Sequence, residues 1–517
     1  MGSMAHLLSL VVAAPAAGAL ILAVLPGSRT ALVRIVTCAA PALALLLALP
    51  LWFSFQPRGA QWQFIEHIQA DGAGWPSLAG VDGFAVALVL LTSVIGVVAA
   101  LLLTREPPGR ARAWGIAVLV LEAGVLGALV SLDLRQMFVF WQIAVLALVA
   151  MAMLSGARRV ALVAIALAVA GAAAMLSGLL ALGEQYQSLA TVASFDVRAF
   201  QTMPVRWPLQ MQAFVLLALA CLAPFVLLAL YVWSEGRAVA RGGGESAAGL
   251  LASTALAALA IFGFFRVVLP VMPQATRTSA TAMVIAGGVS AALAVVAAAL
   301  PRARTAVYWI GLAQALLAIV GLFAATPNAL TGAAVQLIAA SLAVAALAPI
   351  AAGREASDTA VPRINAVAIV VALVAIAAGF SGGRLLASGL APLGQVASYA
   401  ALLVSGASAL VLASQGLRRS TGLMNTGRAG VLDLAIAAPS IGLLLAIAIH
   451  PAPLLARLET SVARVIVRVS PEYASQVADC LNQPAPPPPA DSGLPAGMML
   501  AAPCTDASSA GDPGVKR

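Results

Sequence analysis

Apolar runs long enough to cross about 30 Å of hydrocarbon recur along nearly the whole chain, and this feature confines it to a lipid bilayer. Their ends are marked by Arg, Pro, Gly and Asp. The pattern predicts an all-α polytopic membrane protein of about fourteen transmembrane helices, near 5–26, 31–54, 81–103, 113–132, 136–155, 159–182, 208–233, 246–270, 278–300, 304–325, 328–351, 362–380, 390–414 and 430–449. A water-soluble domain is excluded by composition, because 62% of the residues are hydrophobic and 9% charged, with a mean hydropathy of +1.02. The first run follows no basic segment and ends without a small-residue cleavage site, so it is expected to remain as a helix.

A net charge of +9 raises the question of a nucleic-acid partner, but the arginines are scattered one to three at a time between apolar runs, and none is expected. They read instead as topology. Odd-numbered connections hold Arg29; Arg105, Arg110 and Arg112; Arg158 and Arg159; Arg237 and Arg241; Arg302 and Arg304; Arg354 and Arg363; and Arg418, Arg419 and Arg428. Even-numbered ones hold only Arg58, Arg135, Arg198, Arg206, Arg277 and Arg384 before the tail. The positive-inside rule therefore puts odd connections in the cytoplasm and both termini outside.

Two spans look interrupted, one near 222–225, where Cys221 to Pro224 reads CLAP, and one near 380–384, where Phe380 to Arg384 reads FSGGR. Broken helices at equivalent places in two inverted repeats line paths through transporters, although Pro and Gly are also simply common in membrane helices. Residues 1–450 form the expected transmembrane domain. Segment 451–482 has charges spaced along an apolar pattern from Leu454 to Val469 and is expected at the membrane interface, or as a surface loop. The run PAPPPP opens a disordered Pro-rich tail, 483–517. Cys38 and Cys221 fall within helices as small hydrophobes, and Cys480 and Cys504 lie towards the tail.

From Val81 the chain reads VDGFAVALVLLTSVIG, and later LEAGVLGALVSLDLRQMFVFWQI. Together with IFGFFRVVLPVMP from Ile261 to Pro273, and weaker echoes in GLFAAT, GAAVQL and the Pro362–Arg363 pair, these resemble subunit M of bacterial NADH:quinone oxidoreductase. That subunit belongs to the antiporter-like, proton-translocating family of respiratory complex I and Mrp antiporters. The resemblance spans about 81–414. It implies fourteen helices with two inverted repeats of five, a bacterial inner membrane, and other membrane subunits of a complex I-type assembly as partners alongside the lipid.

The family's Phe-Trp-Glu stands here as Phe140, Trp141 and Gln142. By the same motif alignment, positions that carry ionisable proton-path residues in the family hold Gln142, Leu222, Ala258, Ala340 and approximately Leu386, none of which titrates near neutral pH. The single lysine of the whole chain is Lys516, in the tail, and His6, His67 and His450 lie at helix ends or in a loop. Ionisable groups remaining within or near spans are Glu122, Asp133, Arg266 and Asp433. Glu122 falls mid-helix and is expected to be a neutral acid hydrogen-bonded to a neighbouring helix, since one carboxylate cannot relay across a membrane. Arg266, near a helix end, is expected to snorkel. Gln142 is expected to pack between helices as a polar contact of about 1 kcal/mol. Histidines and cysteines lack metal-ligand spacing, no nucleophile constellation is present, and no cofactor is expected.

The resemblance with these substitutions points to a degenerate membrane-arm subunit, non-catalytic and kept for structure or assembly. Alternatives are a membrane subunit of a membrane-bound hydrogenase, an Mrp-type antiporter or an inorganic carbon uptake complex, or an independent secondary transporter.

Overall fold

A computed structural model describes residues 6–68, 77–105, 108–156, 158–190, 194–239, 247–299, 303–352, 382–393, 398–405, 407–408 and 428–473. Leu7–Val24 (α1), Thr30–Ser54 (α2), Gly83–Leu103 (α3), Pro108–Val130 (α4), Leu134–Leu154 (α5) and Arg158–Ala190 (α6) follow in order. After the short Val197–Thr202 (α7) come Trp207–Val239 (α8) and Ala247–Gly263 (α9). The helices Pro273–Ala299, Ala303–Ala324, Pro327–Ala352, Arg428–Ile449 and Ala452–Val469 complete the described array.

Among the described residues, eleven helices are long and apolar enough to span a membrane, each matching one expected span, and a twelfth counts if the bent pair Leu434–Ile449 and Ala452–Val469 is one span. The expected span at 362–380 lies outside the described residues, and the one at 390–414 is described only in part. The count of fourteen is therefore not reached here, while the all-helical membrane architecture is.

The core of the array is formed by α3, α4 and α9. All of the 251–271 window and 89% of the apolar window in α3 are buried against protein, whereas α6 and Pro273–Ala299 are only 22% and 28% buried. Their outward Leu, Ile and Val side chains, such as Leu162, Val169, Ile285 and Leu293, suit lipid, where apolar exposure carries no penalty. Helices approach closely where side chains are small. At Gly124 an added Cβ would come within 2.6 Å of the Ala144 backbone nitrogen, so only hydrogen lets α4 and α5 meet there.

The interruption expected near 222–225 takes another form. Pro224 is carried inside a continuous α8. Membrane helices tolerate proline because neighbours can satisfy the freed carbonyl. The irregular turn in this half lies instead in α9, which passes into a π-helical turn at Phe264–Val268 and ends at Leu269–Val271. Of the 380–384 break, residues 380 and 381 lie outside the described residues, and 382–390 is helical.

One end of the array is capped by non-membrane structure. Strands Gln63–Ile68 (β1) and Ser77–Val81 (β2) pair antiparallel, with bridges from Ala79 to Ser131 and from Asp133 to Asp196. The helix Ala452–Val469 turns 79° from its predecessor and straps across this hairpin end. Its Leu454, Leu458, Val462 and Ile466 are buried, and its Arg457 donates to the Trp52 carbonyl at the end of α2 (2.7 Å).

Candidate functional site

The charged residues of the core separate into a paired site at the hairpin end and a lone carboxyl deeper in. Asp82 caps α3, its Oδ1 accepting from the Ala85 N–H at 2.8 Å, which satisfies one of the orphan donors of the first turn. Its Oδ2 faces the Nη2 of Arg266 at 3.2 Å. Arg266 lies in the π turn of α9 and its Nη1 donates to the carbonyls of Leu129 (3.2 Å) and Ser131 (3.3 Å), where α4 ends. The rings of Phe262 and Trp62 lie 4.3 and 4.8 Å from its guanidinium carbon. The π turn also turns the Arg266 carbonyl to the Gln201 side-chain amide of α7, which donates to it at 2.9 Å.

Arg266 thus does not snorkel. It is 1% exposed, because the segment between α2 and β1 that carries Trp62 folds over the helix end that would otherwise meet water. Asp82 is the charged partner that reading the spans alone misses. An Asp immediately before a Gly-led apolar run is a helix-start signal, and that signal alone would have placed it.

Glu122 stands midway along α4 and is 2% exposed. Neither carboxyl oxygen has a hydrogen-bond partner among the described residues, contrary to the expected bond to a neighbouring helix. The carboxyl packs onto Gly96 of α3, where an added Cβ would collide with it. One turn away on the same face, the Thr92 hydroxyl is likewise buried without a partner.

Asp133 is at the hairpin end and not in the apolar interior. It caps α5 and pairs with Arg135 at 2.7 Å. Asp196 and Arg198 repeat the arrangement at α7 (2.6 Å), and the hydrogen bonds to Asp196 hold the Arg198 guanidinium above its ordinary pKa. Asp433 has its side chain outside the described residues.

The positions expected from family motifs fall in two groups. Gln142 on α5 is half-buried, with its amide 3.9 Å from the Met175 sulfur of α6. Ala258 on α9 is buried and Leu222 on α8 partly so. Their three helices converge on Gly263, where an added Cβ would lie 2.9 Å from both Cys221 Sγ and the Trp141 ring. Ala340 and Leu386 lie apart from these, on Pro327–Ala352 and on 382–390, where Leu386 packs onto Gly321 and Gly332. In that region Gln336 donates to Gln314 at 2.6 Å. Among the described residues no cluster of His, Cys, Asp and Glu could hold a metal ion.

No family model matches the chain. Two relatives match in part: NADH-ubiquinone oxidoreductase chain 4 of Marchantia polymorpha, 28% identical over 129 residues, and that of Arabidopsis thaliana, 27% identical over 136. These matches take in 25% and 26% of this chain and span about a quarter of each relative's length, 26% and 28%. Among solved structures, a chain of respiratory complex I from Thermus thermophilus superposes with a TM-score of 0.75 at 19% identity, covering 90% of this chain and all of that one. A chain of the membrane-bound sulfane sulfur reductase, an archaeal respiratory membrane complex, gives 0.70 at 18% identity, with 87% and 76% covered. A chain of the Mrp complex from a Dietzia species gives 0.69 at 18%, with 92% and 99% covered. At such identities the likeness is one of fold, and it agrees with the resemblance read from the sequence.

Proposed function

We propose that the chain is a membrane-arm subunit of a complex I-type NADH:quinone oxidoreductase assembly, the counterpart of subunit M, and serves structure, spacing or assembly without a proton channel of its own. The observation that carries this reading is the likeness of fold over nearly the full length to a complex I chain, in a sequence that keeps no titratable side chain at the motif positions Gln142, Leu222, Ala258, Ala340 and Leu386. A relay across roughly 30 Å needs several ionisable groups in sequence. Here Arg266 is committed to Asp82, Asp133 pairs with Arg135, and Glu122 stands alone.

In this reading the partners are other membrane subunits and the surrounding lipid. Residues 1–450 lie in a bacterial inner membrane with the hairpin end and both termini outside, 451–482 lie at the interface, and 483–517 form a tail. A second reading is favoured by the comparable scores of the sulfane sulfur reductase and Mrp chains: a membrane subunit of a related assembly.

Affinity purification separates these. A tag in the connection around Gly242, followed by mild extraction of native membranes, is expected to recover quinone-reductase membrane subunits. Recovery of hydrogenase, antiporter or carbon-uptake subunits selects the second reading, and recovery of the chain alone, with transport by the purified protein, overturns both.

A further inference from the structure

Opposite the hairpin, the array ends in the α1–α2 and α3–α4 connections. Glu66 of β1 accepts from the start of α1 and Asp82 caps the start of α3, so residues 25–29 and 104–105 stand at the far end. Two contacts draw these connections together. Arg112, near the start of α4, donates from Nε to the Leu22 carbonyl (2.8 Å) and from Nη2 to the Ala23 carbonyl (2.5 Å), both in the last turn of α1. On α2 the Cys38 thiol donates to the Ala100 carbonyl of α3 (3.7 Å), so Arg34, one turn nearer this end, stands level with Thr104 and Arg105. Arg29, Arg34, Arg105 and Arg112 thus come from two connections to one corner.

Arg29, Arg34 and Arg105 are exposed, and neither Arg29 nor Arg34 has a side-chain partner among the described residues. Up to Val130 the described acids are Glu66 and Asp82, at the hairpin end, and Glu122, mid-helix. Residues 25–34 and 104–112 contain one acid, Glu106, which lies outside the described residues, against Arg29, Arg34, Arg105, Arg110 and Arg112. The positive-inside bias accounts for arginines at this end, but not for what lies beside them. On the membrane side of the corner the surface is apolar: Val24 is 86% exposed, and Leu20 and Ile21 on α1 and Leu32 and Ile35 on α2 are exposed with it. A phosphodiester offers guanidinium groups oxygens for paired, charge-assisted hydrogen bonds, and acyl chains suit the apolar flank. A soluble anion uses only the first of these, and a zwitterionic lipid brings an ammonium that the arginines repel.

We propose that this corner binds an anionic phospholipid, its phosphate held by Arg29, Arg34 and Arg105 and its acyl chains lying along Leu20, Val24 and Ile35. Basic clusters between the ends of membrane helices are suited to such headgroups. Arg112, fixed on the α1 carbonyls, ties the α1–α2 turn to α4 and leaves the headgroup to the others. The site depends neither on a proton path nor on which assembly holds the chain.

The test uses the full-length chain in mild detergent, stripped of bound lipid, with dioleoylphosphatidylglycerol, dioleoylphosphatidylcholine and inorganic phosphate as probes and native mass spectrometry as the readout. Wild type is expected to bind the phosphatidylglycerol roughly tenfold more tightly than the phosphatidylcholine, equivalent to about 1.4 kcal/mol. Arg29→Gln with Arg34→Gln is expected to abolish that preference. Arg158→Gln with Arg159→Gln, an exposed pair at the start of α6, is expected to leave it unchanged. No preference in wild type, or equal losses from the two pairs, overturns the site in favour of charge spread over the whole face. Millimolar phosphate is expected to leave the lipid bound, and Val24→Asn with Ile35→Asn to weaken it about fivefold, roughly one buried methylene's worth; displacement by phosphate, or indifference to these two changes, overturns the lipid in favour of a free anion. Should the Arg29 and Arg34 double variant fail to fold, Arg34→Gln alone takes its place: about a fivefold loss is expected for one arginine, and an unchanged preference overturns the site.

Discussion

The guanidinium of Arg266 faces the carboxylate of Asp82 at 3.2 Å, across 184 positions of sequence and with both side chains almost wholly out of solvent (0% and 6%). Each member also secures a helix end, since Asp82 caps α3 and Arg266 gathers the carbonyls that end α4. Losing either partner therefore leaves a buried charge and a frayed helix end together.

Arg266→Met should lower stability in detergent by about 3 kcal/mol, because an uncompensated Asp82 remains in a dry site. The matched change Arg135→Met removes a shorter ion pair, 2.7 Å, but Arg135 is about one-third exposed, and the loss should stay below about 1 kcal/mol. Thermal unfolding of the two purified variants compares them directly. Equal shifts would mean that the Arg266 site is far wetter than its burial indicates.

Gly96→Ala should destabilise the core by about 1–3 kcal/mol, since the new Cβ occupies the place of the Glu122 carboxyl. Shortening the acid removes the obstruction, so Gly96→Ala with Glu122→Ala should recover much of that loss. A double-mutant cycle in thermal unfolding reads the coupling, and strict additivity of the two changes would refute direct contact.

What the sequence disclosed and what it withheld follow one physical division. Spans such as 81–103 and 246–270 were legible because twenty-odd apolar residues admit a single solution in lipid, a helix. Glu122 is visible in the sequence as an isolated charge within such a run. Its surroundings are not, since nothing near Glu122 in the chain reveals that Gly96 faces it. Arg266 was misjudged for the same reason: snorkelling is the local expectation, and only the fold brings Trp62 and Asp82 over it. Pro224 suggested a break that α8 absorbs, whereas the π turn at Phe264–Val268 has no comparable local mark.

Glu66 on β1 should prove the anchor of α1. It is 7% exposed, and its carboxylate accepts from the Leu8 N–H at 2.6 Å and the Ser9 N–H at 3.1 Å, placing negative charge on a helix N-terminus from 57 or more positions away. Glu66→Ala should cost about 1–2 kcal/mol and accelerate amide exchange at residues 8–12. Hydrogen exchange with peptide-level readout checks this; unchanged protection there would show that α1 is held by packing alone.

Gln142→Glu should restore no pumping. The side chain is half-buried on α5 with its amide near the Met175 sulfur, and the neighbouring helices offer Leu222 and Ala258 where a relay would need titratable groups. A carboxyl introduced there gains no partner to pass a proton to. Its effect should be confined to a modest loss of stability, about 1 kcal/mol, from replacing a neutral polar contact. Proton-to-electron stoichiometry of the parent complex in membrane vesicles should match wild type within error. An increase after this single change would mean that a connected path survives around α5, α8 and α9, and that the chain has lost one group and not the channel.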